Sequence, residues 1–240
     1  MKVTYLYHSG FLVETESAVF LFDYFKGELP AFPAHKPLFI FASHKHPDHF
    51  DFQIFRLKDH PGGVSYVFGN DIRLGDNYLR RHGVEPSIKD KIYKMAPHKE
   101  LVIGSVVIKT LKSTDAGVAF YVKTKETGIY HAGDLNWWHW EGESEEFNAG
   151  QKRIYQEEVA YLKSLLEEEK AALEVAFVPL DPRLGDAYDY GMYYFLSQIP
   201  VKAVYPMHMW DDYDVIRRYM QKHGSQKHIF FTNETYFHNK

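Results

Sequence analysis

The chain has 240 residues, 45% of them hydrophobic and 25% charged, proportions of a folded globular protein and not of a disordered one; the length suits one large α/β domain or two small ones. No apolar run approaches the ~18 residues that a membrane span needs, and with no cysteine any metal site must be built from histidine and carboxylate, without disulfide, thiolate ligand or cysteine nucleophile. A net charge of -4 gives no general attraction to nucleic acid.

Residues 1–8 enter directly into an alternating strand pattern with no secretory features, so the cytoplasm is the expected location. Val3 to His8, Gly10 to Thr15 and Ala18 to Asp23 read as an opening antiparallel meander. A loop carrying Pro30, Pro33 and Pro37 follows, then the apolar run 37–42, which reads as a buried strand. Asp51 to Lys58 reads as a helix packing on the sheet, Val64 to Phe68 as a strand and Asp76 to Arg81 as a second helix. From Lys91 the chain returns to strands: Lys91 to Met95, Glu100 to Ile103, Val106 to Leu111, Val118 to Lys123 and Ile129 to His131. Gly104-Ser105 and the four residues from Lys125 to Gly128 supply turns between them. Glu141 to Glu174 begins as a polar loop and becomes a long amphipathic helix whose acidic run 167–169 reads as a solvated face. Ala176 to Leu180 reads as a buried strand, Tyr190 to Gln198 as a helix, and Val201 to Tyr205 as a strand stopped by Pro206. Two β-rich halves with helices imply two mainly antiparallel sheets packed face to face with helices outside, in one domain over 1–240.

The buried run 37–42 is followed by Ser43, His44, Lys45, His46, Pro47, Asp48, His49 and Phe50. Four residues of metal-ligand types, three histidines and an aspartate, fall within six positions at a strand end. His44 and His46, two apart on an extended backbone, point to one side. Pro47 turns the chain, so Asp48 and His49 can aim elsewhere, and one loop can serve two adjacent ions.

His-x-His-x-Asp-His after a hydrophobic strand resembles the signature of the metallo-β-lactamase fold superfamily of metal-dependent hydrolases, which implies a four-layer αββα sandwich. The motif is specific for the fold and silent on substrate. The resemblance implies that Asp134, in Gly133-Asp134 after the strand 129–131, bridges two ions, and that His208, at the end of the strand 201–205, binds the second ion with Asp48 and His49. By the same resemblance His8 and Asp23 take places near the metal loop, Asp23 as a buttress or a plain strand-end carboxylate. The histidine that the resemblance expects with His44 and His46 is missing: Asp115 stands at that place in chain order, and His98 is the rival. Two dications facing Asp48, Asp115, Asp134 and a hydroxide sum to zero charge, and the extra carboxylate moves preference from zinc toward manganese or iron.

The resemblance, nearest in size and plan to the compact lactonase-like and phosphodiesterase-like members, implies a metal-dependent hydrolase with two divalent ions, zinc first, acting on a small-molecule phosphodiester, lactone or other ester. Asp48 would orient the attacking water while binding metal; His8, His139 and Tyr188 are the candidate proton donors. Arg183 could clamp a phosphate or carboxylate, or pair with Asp181 or Asp186. The run Trp137, Trp138, His139 and Trp140, beside the bridging candidate, could stack on substrate or pack the long helix. A metal-binding or regulatory module without turnover, and a nuclease acting on RNA, are the other readings.

Overall fold

The computed structural model describes residues 1–125 and 127–224, so Glu126, within the expected turn from Lys125 to Gly128, lies outside the described residues. The chain forms two compact units, Met1–Ala96 and a second beginning at Pro97.

The first unit holds β1 (Lys2–Tyr7), β2 (Gly10–Glu14), β3 (Val19–Phe22), β4 (Leu38–Ala42), β5 (Val64–Gly69) and β6 (Ile92–Met95), side by side in chain order. The opening meander is there: β1–β2 and β2–β3 are antiparallel. From β3 onward the pairings are parallel, so this sheet is mixed and not mainly antiparallel. The reason lies in the strands: β3 and β4 are buried at every position, as strands covered on both faces are, and such continuous apolar runs suit parallel pairing. One face meets Ile54, Phe55 and Leu79 through Leu21, Ile40, Tyr66 and Phe68. The other stacks Phe22 on Phe41 at 4.6 Å and Phe20 on Phe39 at 5.4 Å. Leu79 comes from α1 (Asp76–Arg81), as expected. The expected helix from Asp51 is instead a 3-10 segment, Phe52–Leu57, capped by Asp51 accepting from Gln53 N; with only six residues, the tighter winding suits a short connector.

Gly69 closes β5 where no side chain fits. A Cβ there would lie 2.2 Å from the carbonyl oxygen of Ser43, at the start of the histidine loop. Gly69→Ala is expected to cost about 1–3 kcal/mol through backbone displacement. Gly142→Ala, whose Cβ meets nothing within 4 Å, should stay within about 0.5 kcal/mol of the parent. Denaturant midpoints compare the two.

The second unit orders its strands β12-β11-β10-β9-β8-β7, where β7 is Glu100–Ile103, β8 Val106–Lys112, β9 Val118–Lys123, β10 Gly128–His131, β11 Leu173–Pro179 and β12 Val201–Met207. β7 to β10 form the expected meander, whereas β10–β11 and β11–β12 are parallel. The crossovers are α2 (Glu145–Glu168) and α3 (Tyr190–Gln198). Ser144 caps α2 by accepting from Phe147 N, and Tyr155, Val159, Leu162, Leu165 and Leu166 form its buried stripe. The acidic run 167–169 at its C-terminal end is only partly a solvated face: Glu169 reaches Lys109 at 2.5 Å and Lys123 at 2.8 Å. Pro206 does not stop its strand; it pairs with Val178, because β12 lies at a sheet edge where a missing N–H is tolerated. Beyond it comes α4 (Asp214–His223), with Val215, Ile216 and Tyr219 buried, a helix not expected from the sequence.

Candidate metal centre

In the first unit, Asp23 organises the histidine loop. It is fully buried and sits at φ +42°, a conformation that non-glycine residues adopt only when their surroundings impose it. Its Oδ1 accepts from Ser43 N at 2.7 Å, and its Oδ2 accepts from Ser43 Oγ and from His49 Nδ1, each at 2.7 Å. The bond to His49 holds the proton on Nδ1 and leaves Nε2 as the lone-pair nitrogen, the arrangement found behind metal-ligating imidazoles. The loop closes on itself as His49 N and Phe50 N donate to His46 O, a turn across Pro47. His44 Nε2 and His46 Nδ1 converge to 2.9 Å, so the i, i+2 pair does point to one side. Past the turn, Asp48 and His49 join His8, each offering one ligand atom within 4.8 Å of the others. His8 Nε2 lies 3.5 Å from Asp48 Oδ2. Burial pushes the Asp48 carboxyl up, but the hydrogen bond from His8 and the His49 imidazole beside it outweigh this and hold Asp48 well below the usual carboxylate range.

In the second unit, Asp134 follows β10 across Gly133, at φ +51°. Its Oδ1 lies 3.4 Å from His208 Nε2. His208 ends β12 at φ +65° and directs Nδ1 to Asp181 Oδ2 at 2.8 Å, so a second imidazole is oriented by a buried carboxylate. Burial pushes the Asp181 carboxyl up, but hydrogen bonds from His208 and Arg183 outweigh this and lower it. Asp115 lies on the loop after β8, and each of Asp115 and Asp134 offers an oxygen within 4.8 Å of the other. Thr114 makes that proximity: its hydroxyl donates to Asn136 O at 2.7 Å and accepts from Asn136 N at 2.9 Å, tying the two loops together. The rival His98 is engaged elsewhere, with Nε2 2.9 Å from Glu158 of α2. His98→Ala is therefore expected to cost about 0.5–1 kcal/mol, as for a half-exposed pair, and to leave metal content unchanged, whereas Asp115→Ala lowers it; elemental analysis of the two variants is the check.

The family model described as a β-lactamase superfamily domain matches residues 2–208. This chain belongs to the metallo-β-lactamase superfamily. A search of curated proteins found no match. Among solved structures, Igni18, a metallo hydrolase from the archaeon Ignicoccus hospitalis, is similar at TM-score 0.58 and 15% identity, over 92% of this chain and 88% of that one. The human short-form tRNase Z is similar at 0.51 and 13%, over 86% and 90%. A mutant of the CmlA β-hydroxylase, the diiron enzyme of Streptomyces venezuelae, is similar at 0.56 and 13%. That match covers 95% of this chain and only 52% of CmlA, so the chain spans about half of that enzyme. Relatives so distant show the fold, an α/β sandwich with two mixed six-stranded sheets, and leave substrate open.

Donors of the superfamily type suit divalent ions here by their chemistry: His49 and His208 each turn Nδ1 to a buried carboxylate and leave Nε2 for an ion, and the Asp48 carboxylate is held ionised. Beside Asp115, Asp134 and His208 the second unit opens a cleft of about 170 Å3, walled also by Thr114, Trp138, Trp140, Phe147, Gln151 and Arg183. The aromatic run divides. Trp138 donates Nε1 to Asp134 O at 3.0 Å and faces His208, whereas Trp137 packs against Tyr190 and Tyr194 of α3 under Lys152 of α2. His139 packs on Tyr190, and Tyr188 lies beneath Arg218 and Lys222 of α4; none of these three lines the cleft. Arg183 lines it while forking onto Asp181, Nε and Nη2 lying 2.6–3.0 Å from the carboxylate. Asp181 was legible in the sequence only as a partner for Arg183; its second bond, to His208, depends on the parallel pairing of β11 and β12. Trp140 was legible as part of the aromatic run, whereas Phe147 and Gln151 carried no signal beyond their residue types. Among the described residues no helix is long and apolar enough to cross a membrane.

Proposed function

We propose that this superfamily member is a hydrolase of small phosphodiester, lactone or other ester substrates. Two divalent ions, zinc first and manganese or iron as alternatives, would be held by His44, His46, Asp48 and His49 from the first unit and by Asp115, Asp134 and His208 from the second. The observation that carries the reading is the repeated carboxylate–imidazole pair, Asp23 with His49 and Asp181 with His208. Nothing in packing alone calls for two buried imidazoles oriented in this way. The family match runs through both units, over residues 2–208, which supports one domain. A cytoplasmic location and a small-molecule partner belong to the same reading.

When bound, the ions supply Lewis acidity and a water acidified toward neutral pH. The chain's own groups do the rest. Asp48, ionised, accepts a proton of the attacking water and orients it toward the ester carbon or phosphorus. His8, 3.5 Å from Asp48, is the favoured donor of a proton to the leaving oxygen, since His139 and Tyr188 are taken up in packing with α3 and α4. The negative chain charge speaks against RNA as substrate, and an RNA reading would require binding that weakens steeply with salt.

The test loads the protein with zinc, manganese or ferrous iron, measures bound metal, and assays phosphodiester, phosphomonoester and lactone probes. Turnover of one class, lost with a chelator and restored by metal, is expected. Chelation should also lower Tm, because an ion at one hundred times its Kd adds about 2.7 kcal/mol to stability. Full loading without turnover would leave a metal-binding module and remove the hydrolase for these substrates.

A further inference from the structure

The cleft of the second unit has walls of a kind that selects substrate. Arg183 is held by three features at once: the fork to Asp181, the ring of Trp210 at 4.4 Å, and the ring of Trp140 at 5.6 Å. Its side chain is still 44% exposed, so a guanidinium fixed in orientation faces the opening. Nε and one N–H of Nη2 are given to Asp181, which leaves the Nη1–Nη2 edge of an already ordered guanidinium, a planar pair of donors that loses little freedom on receiving a carboxylate. Because Asp181 balances its charge, the site favours a single negative charge over the two of a phosphate monoester. Trp138, Trp140 and the exposed Phe147 add ring surface to the same walls. Gln151 adds a buried Oε1 with no hydrogen-bond partner, an acceptor waiting for an N–H or O–H. The volume, about 170 Å3, compares with the ~150 Å3 that holds one benzene ring.

The geometry points to a substrate that carries one carboxylate, received by Arg183, on a compact flat body about one ring in size, packed against Trp138, Trp140 and Phe147, with a donor group read by Gln151. This deepens the hydrolase reading and rests on it. A hydrolysable ester or lactone of such an acid fits the cleft beside Asp134 and His208; a polynucleotide does not.

Benzoate is the first probe, titrated into the metal-loaded protein by calorimetry and by the fluorescence of the cleft tryptophans. Benzoate should bind at least tenfold tighter than benzamide, which lacks the charge, than acetate, which lacks the ring, and than inorganic phosphate. Equal binding of benzamide removes the role of Arg183. Equal binding of acetate shows a carboxylate taken by the ions alone, and tighter phosphate shows a different anion site; each result overturns the proposal. Arg183→Lys should weaken benzoate at least tenfold with metal content unchanged. If that variant loses metal through Asp181, Phe147→Ala decides, because Phe147 is on the exposed first turn of α2: benzoate should weaken about fivefold and acetate not at all. Gln151→Leu should abolish the advantage of whichever hydroxybenzoate isomer binds best. Wild-type benzoate affinity in Phe147→Ala also overturns the proposal. These readouts need no turnover, so ester hydrolysis without benzoate binding would refute this substrate class and leave the hydrolase standing.

Discussion

Asp23→Ala is expected to cost about 3–6 kcal/mol and to lower metal affinity by about 10–100-fold. The stability figure follows from three donors left behind in a fully buried place: Ser43 N, Ser43 Oγ and His49 Nδ1. Each buried donor stripped of its partner costs about 1–3 kcal/mol, and the relaxed loop recovers part of that. Against a total stability of about 5–15 kcal/mol, the loss brings the protein close to unfolding at growth temperature. The affinity figure is the usual consequence of removing the carboxylate behind a ligating imidazole. Asp23→Asn separates the two effects. An amide keeps an acceptor for the Ser43 backbone and so costs less stability. Its NH2 group, turned toward His49, donates to Nδ1 and forces the proton onto Nε2, where the imidazole cannot bind metal. Asn should therefore nearly match Ala in lost metal affinity and fall well short of it in lost stability, as read by denaturant unfolding and competitive metal titration.

What the sequence revealed and what it hid follow one physical division. Local order was legible: the histidine loop needs only a strand end, an i, i+2 pair and Pro47, and its geometry matches that reading within the first unit. The apolar stripe of α2 was legible for the same reason. Partners distant in sequence were not. A fully apolar run such as Leu38–Ala42 reads the same in a parallel or an antiparallel sheet, so the parallel half of each sheet went unseen. α4 went unseen because its few apolar positions are diluted by Asp214, Arg217, Arg218 and Lys222. The run from Trp137 to Trp140 gave residue types without faces, and only the fold sends Trp138 to the cleft and Trp137 toward α2 and α3. His98 and Asp115 could be ranked only by chain order, because the Glu158 contact of His98 and the Thr114 tie beside Asp115 join residues distant in sequence.

Asp181→Ala is the second change with a large expected effect, and it tests whether Asp181 serves Arg183, His208 or both. The carboxylate is wholly buried and accepts from His208 Nδ1, from the Arg183 guanidinium and, at Oδ1, from Arg183 N at 2.9 Å. Its loss should cost about 3–5 kcal/mol, the range for breaking a buried charged network, and about 10–100-fold in metal affinity, because His208 can then turn or change tautomer. Arg183→Ala removes a half-exposed partner while leaving the His208 bond intact, so it should reduce stability less and leave metal affinity within about threefold. In a double-mutant cycle the two changes should couple by about 1–3 kcal/mol in stability, as residues of one network do, yet show no coupling in metal binding. If Asp181 merely anchored Arg183, the two single variants would lose metal equally and the double variant would lose no more. Equal loss would thus assign the orientation of His208 to its place at the end of β12 alone, and would leave Asp23 with His49 as the single imidazole pair arranged for a metal.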